Sequence, residues 1–157
     1  MQVIGPVQHV REESEKILRS LPRWFGIEFA LIEYAEATNR LPTFVALSDG
    51  AIVGFATLER HSEYEYEIHC IAVRYEFRNG GIGTALVSAA EAWMKALGGT
   101  SIVVKTIAEN HPSPEYRESR GFYQRQGFMA EKIIPDIWGP SNPCLQMRKE
   151  IQLAWNK

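Results

Sequence analysis

Residues 66–97 decide the fold: Tyr66-Glu67-Ile68-His69-Cys70-Ile71-Ala72-Val73, then Arg78-Asn79-Gly80-Gly81-Ile82-Gly83-Thr84, then a helical stretch to Leu97. The first segment is rich in β-formers and suited to burial on both faces of a sheet. The second carries Gly80, Gly81 and Gly83 within a few positions. In the third, Ile82, Ala85, Leu86, Ala89, Ala90, Trp93, Met94 and Leu97 recur at helical spacing, and Gly98-Gly99 stops the run. The order is strand, glycine turn, helix.

A helix leaves its first N–H groups without partners, and its dipole places partial positive charge there. Glycines just ahead of it let the backbone curl and let a phosphate approach without meeting a Cβ. The turn therefore suits a pyrophosphate, although ordinary loop chemistry has the same composition. A dinucleotide fingerprint needs G-x-G-x-x-G, whereas these residues give G-G-x-G in mid-chain. A P-loop needs G-K-[ST], and no lysine follows these glycines.

Arg78-Asn79-Gly80-Gly81-Ile82-Gly83 resembles the R/Q-x-x-G-x-G/A signature of the GCN5-related N-acetyltransferases. It falls where that family has it, between a strand ending Ile-Ala-Val and a long helix. Phe122-Tyr123-Gln124-Arg125-Gln126-Gly127-Phe128 is similar to the family's F-Y-x-x-x-G-F, and the element order agrees over nearly the whole chain. The resemblance implies an α/β (α+β) fold with a mixed, mostly antiparallel sheet of about six or seven strands. It implies acetyl-CoA on the backbone amides of Asn79, Gly80, Gly81, Ile82, Gly83 and Thr84, with Arg78 leading the turn and the pantetheine arm along Ile71, Ala72 and Val73. Dimers are common in that family, so a homodimer is an open expectation.

Length and composition agree with one domain, residues 1–157, with 45% hydrophobic and 23% charged residues. A net charge of −2 gives no bulk attraction to nucleic acid or anionic membrane. No apolar run reaches membrane-spanning length and no signal-peptide layout opens the chain, so the cytoplasm is expected. Cys70 and Cys144 show no redox or zinc spacing, and His9, His61, His69 and His111 are scattered; no metal is expected. Cys70, inside the central strand, reads as a buried inert thiol.

Outside the central stretch, Val3–Val7 reads as an edge strand marked by Gly5-Pro6. Val10, Ser14, Ile17, Leu18 and Leu21 give a helix face; a second helix from about Glu28 to Arg40 is expected to turn Phe29, Ile32 and Ala35 inward. Asp49-Gly50 joins two strands as a hairpin. Ser101–Ile107 is a fifth strand, parallel to the central one across a right-handed crossover. A helix over about 115–126, a strand over 128–134 and a last strand over 144–151 follow, with a turn around Trp138 between the last two.

Acetyl transfer from a thioester to an amine needs the amine deprotonated, the carbonyl oxygen stabilised and the departing thiolate protonated. No covalent intermediate is needed when both substrates are held together. The resemblance puts Tyr123 beside the cofactor sulfur as the acid and Glu67 at the start of the central strand as the base. Tyr64, Tyr66 and Ile68 could desolvate Glu67; Glu65, His69 or a water chain are the alternatives for the base. The family sets acceptor choice in its first helices, which makes Trp24, Phe25, Glu28 and His69 the candidate acceptor contacts, with Trp138 as a further aromatic wall. Acidic Glu28, Glu33 and Glu36 lean toward a cationic small-molecule amine. Many members carry an asparagine seven residues before the motif tyrosine; that position here is Tyr116, and Asn110 is the nearest candidate cofactor contact. The extra residues, 111–116, suggest a loop over the substrate, with Arg117 and Arg120 as contacts to phosphate or an acidic acceptor. A non-catalytic acyl-CoA-binding module and a protein N-terminal or lysine acetyltransferase are the alternative functions.

Overall fold

The computed structural model describes residues 1–107, 113–135, 137–139 and 142–151. In chain order these form β1 (Gln2–Val7), α1 (Arg11–Arg19), α2 (Glu28–Glu36), β2 (Thr43–Ser48), β3 (Ala51–Arg60), β4 (Glu65–Val73), α3 (Ile82–Ala96), β5 (Ser101–Ile107), α4 (Pro114–Arg125), β6 (Met129–Ile134) and β7 (Cys144–Glu150). The strands make one seven-stranded sheet in the order β1-β2-β3-β4-β5-β7-β6. Only the β4–β5 pair is parallel, as expected for two strands joined through a helix. Among the described residues no helix is long and apolar enough to cross a membrane.

The sheet is covered on both faces. On one, Ile82, Leu86, Ala90 and Met94 of α3 pack on Tyr66, Ile68, Ile102, Val104 and Met147. On the other, Ile17 and Leu18 of α1 and Leu31 and Ala35 of α2 pack on Val45, Phe55, Cys70 and Ala72. The stripe of α3 follows its spacing except at two positions: Leu97 is 53% exposed, and Val87, outside the expected stripe, is buried.

In α2 the expectation is corrected. Phe29 is 73% exposed, whereas Leu31 and Ala35 are buried and Ile32 is partly so. The acids explain the choice: Glu28, Glu33 and Glu36 share the arc that holds Phe29, so the opposite arc, with Ala30, Leu31 and Tyr34, turns inward. The helix also ends at Glu36, in a short 3₁₀ turn over Ala37–Asn39, rather than running on to Arg40.

A one-residue irregularity in β4 positions the site. Thr57 pairs with Cys70 and Leu58 with Ile68, leaving His69 as an extra residue, a β-bulge. Upstream of it Tyr66 and Ile68 face α3; downstream Cys70 and Ala72 face α1 and α2 instead. Pairing between β4 and β5 stops at the same place, with Ile68 opposite Val104 the last pair. Beyond it β5 continues to Ile107 against β7, and β4 continues to Val73 against β3. The two strands splay, and the β4 edge from His69 to Val73 is open toward the gap.

Candidate active site

The glycine turn ends in a helix with no side-chain cap. Asn79 (φ 63) and Gly81 (φ 85) are left-handed, which curls the chain under the first turn of α3. The first amide to bond back is Ala85 N–H, to the Gly81 carbonyl at 3.0 Å. Among the described residues the amides from Asn79 to Thr84 have no acceptor within the protein. At Gly83 a Cβ would stand 3.1 Å from the Phe122 ring, so this position keeps α3 close to α4.

A cavity of about 1020 Å³ starts at this turn, runs through the splay between β4 and β5, and ends under the α1–α2 loop. Ile71, Ala72, Val73, Arg78, Asn79, Gly81, Ile82, Gly83 and Thr84 line it, as do Tyr123, Trp24, Phe25, His69 and Trp138. Gly80 and Glu67 stand just outside the lining, and Asn110 lies outside the described residues. An uncapped helix N-terminus, a free strand edge and a buried phenol thus border one cavity.

Tyr123 is buried among Phe122 and Phe128, with ring centroids at 5.3 and 5.8 Å. Burial, with a smaller effect from Cys70, pushes its phenol above the usual tyrosine value. It is therefore neutral and available as a donor throughout the physiological range. Burial likewise pushes the Cys70 thiol up, and Cys144 to about 11, which leaves both as inert protonated thiols.

Glu67 is 5% exposed, yet its surroundings are not the tyrosines that flank it in sequence. Tyr66 and Ile68 point to the opposite face, and Tyr64 is exposed. Instead Lys105 Nζ lies 2.9 Å from both Glu67 oxygens, and His61 Nε2 lies 2.6 Å from Oε1. Glu59, His61 and Glu67 bring ligand atoms within 4.8 Å of one another, but the ammonium of Lys105 already supplies the positive charge there. His69 stands on the same face, with Nε2 3.0 Å from Glu33 and Nδ1 3.7 Å from Glu59. Glu65 is tied to Arg148 at 2.8 Å.

Other residues fall where sequence spacing does not put them. Arg120 is buried and donates to the Ile107 carbonyl at 2.8 Å, bracing α4 against β5 instead of reaching a ligand. Arg117 and Tyr116 line the cavity from α4, so Tyr116 belongs to that helix rather than to an inserted loop. Glu28 faces outward and grips Arg19 at 2.8 and 3.0 Å, away from the cavity. Glu33 and Glu36 are paired with Arg40 and Arg11. The three acids thus offer no spare charge to a cationic acceptor. Tyr34, missed in the sequence, faces the cavity; its ring meets Phe25 at 5.9 Å and His69 at 5.4 Å, both edge-on. Trp24 stacks under Arg78 at 4.2 Å and donates its indole N–H to the Glu115 carbonyl, so it closes the cavity at the glycine turn instead of facing the α1–α2 end.

Comparison with known proteins agrees with this geometry. The acetyltransferase (GNAT) family matches residues 9–128. An uncharacterised N-acetyltransferase of Chlorobaculum tepidum is 31% identical over 104 residues, which is 64% of this chain and 60% of that relative. The matched part of the chain thus spans less than two thirds of that protein's length. A solved structure from Desulfovibrio desulfuricans, assigned to the GNAT family, superposes with a TM-score of 0.78 at 19% identity, covering 96% of this chain and 99% of its own. An aminoglycoside 6′-N-acetyltransferase solved with coenzyme A superposes at 0.73 and 19% identity, covering 97% and 98%. The chain belongs to the acetyltransferase (GNAT) family, and its seven-stranded mixed sheet is that family's fold.

Proposed function

We propose that this chain transfers acetyl from acetyl-CoA to the primary amine of a small molecule by direct attack in a ternary complex. The observation that carries the reading is the row of unsatisfied amides from Asn79 to Thr84 opening onto the same cavity as the splayed β4 edge and Tyr123. The amides and the α3 dipole would take the pyrophosphate, and the free edge at Ile71–Val73 would hydrogen-bond the pantetheine amides. The thioester would then reach the splay.

In this reading the amine nitrogen attacks the thioester carbonyl, an N–C bond forms and the C–S bond breaks. Glu67 receives the amine's proton, directly or through water, and Tyr123 donates to the leaving thiolate. The contact with Lys105 makes Glu67 an anchored anion, so it can also stabilise the arriving ammonium before its proton leaves. His69 and Glu65, on the same face, are the alternative bases. That the aminoglycoside enzyme shares this fold supports a small-molecule acceptor. A thiol-release assay with acetyl-CoA across amines, peptides and protein N-termini tests the reading. Turnover on free amines is expected. Coenzyme A binding without turnover on any acceptor would leave a non-catalytic binding module, and turnover on peptides alone would leave a protein acetyltransferase.

A further inference from the structure

Resting on that reading, we infer that the acceptor is an amine with one cationic head on a flat apolar body, an arylalkylamine, and not a polycation. The lining of the cavity makes the distinction. Among the described residues it carries a single carboxylate, Glu118, at the phosphate end and already bonded to Arg78 at 2.8 Å. Against it stand Arg78, Lys105, Arg117 and Arg125. A polyamine or amino sugar needs several unpaired acids, since each charge taken from water must be matched. Among the described residues this lining offers no unpaired acid to a second cation.

The end under the α1–α2 loop has different chemistry. Phe25, Ile27, Leu31 and Tyr34 form an apolar wall. Phe25, Tyr34 and His69 continue as three rings in edge-to-face contact, at 5.9 and 5.4 Å, a surface on which a further ring can stack. His69 closes the row on the β4 face that also carries Glu67, the acid proposed to take the amine's proton, so a single ammonium has one partner there. A ring against Phe25 and Tyr34 with its ammonium toward His69 satisfies both halves.

Acetyl-CoA-dependent thiol release is measured with 2-phenylethylamine, tryptamine, spermidine and kanamycin. The arylalkylamines are expected to exceed the polycations in kcat/KM by about tenfold or more, the discrimination a ring-sized apolar pocket gives. Polycations equal to or better than arylalkylamines would overturn the inference. Phe25→Ala should raise KM for 2-phenylethylamine about tenfold while leaving coenzyme A affinity in place. If no amine in the panel turns over, calorimetry of 2-phenylethylamine on the coenzyme A complex still decides. Heat that Phe25→Ala abolishes supports the acceptor class even though the catalytic reading has failed, and no heat sinks the inference.

Discussion

The guanidinium of Arg78 lies 4.2 Å from the centre of the Trp24 ring, while its Nη2 donates to Glu118 Oε1 at 2.8 Å. One residue of the glycine turn therefore ties the α1–α2 loop to α4 across the cavity mouth. A diphosphate bound at the turn competes with Glu118 for that guanidinium. Glu118→Gln removes the competitor and should tighten coenzyme A binding about two- to fivefold, the size of an exposed ion pair. Calorimetry reads it directly; weaker binding in this variant would mean that Glu118 helps to build the site.

The turn itself separates two neighbouring glycines. Gly81 is left-handed with nothing within 4 Å of a built Cβ, so Gly81→Ala is a test of backbone strain alone. It should cost about 1 kcal/mol of stability and weaken coenzyme A, because the amides are re-aimed. At Gly80 a Cβ would meet only the Phe77 carbonyl, at 3.7 Å, an ordinary contact. Gly80→Ala should be close to neutral in thermal melting, and an equal loss in both variants would contradict the geometry.

Tyr123→Phe should keep coenzyme A affinity and lose turnover, by about a hundredfold if the phenol donates to the leaving thiolate. The raised phenol pKa adds a pH condition. Since burial holds the proton on, the donor form persists as pH rises through the ordinary tyrosine range near 10. The ratio of wild-type to Tyr123→Phe kcat should thus stay flat up to about pH 10. A ratio that falls from about pH 8 would point to a different donor.

Cys70 and Tyr123 are buried acids with raised pKa values, and their effect on stability has a definite sign. Their contribution is whole below the unfolded thiol value of about 8.5. It is lost progressively above that, because the unfolded chain releases the proton first. The melting temperature should decline above about pH 8.5, and Cys70→Val should move the onset of that decline upward. An unchanged onset would show that other groups dominate alkaline unfolding.

Lys105→Met leaves a carboxylate that is 5% exposed, hydrogen-bonded to His61 and close to a second carboxylate, Glu59. A destabilisation of about 1–3 kcal/mol is expected by denaturant titration, with a fall in kcat. Lys105→Arg should recover part of both, and no recovery would mean that the compact ammonium is itself required.

Much of this was legible in the sequence because the decisive contacts are local. The strand, turn and stripe between Tyr66 and Leu97 each follow from neighbours within one helical turn or one strand pair, and the glycine spacing carries the left-handed geometry of Gly81. What escaped is what depends on distant partners. Lys105 is 38 residues from Glu67, Glu118 is 40 from Arg78, and Glu115 is 91 from Trp24. The rotation of α2 was misjudged for another reason: its apolar residues fall on all sides of the helix, so the three acids, not the hydrophobic residues, mark its outer side.

The extra residue at His69 divides β4 into two segments with independent duties. Upstream, Glu65 and Glu67 carry charge on one side; downstream, the main chain is left exposed along the gap. A designer could therefore exchange the charged side chains of the first segment to retarget proton handling without disturbing donor docking. Excising His69 itself would do the opposite. It would let the strand alternate without interruption, with Ile71 and Val73 still on the α3 side, and would close the groove by zipping the central strands together.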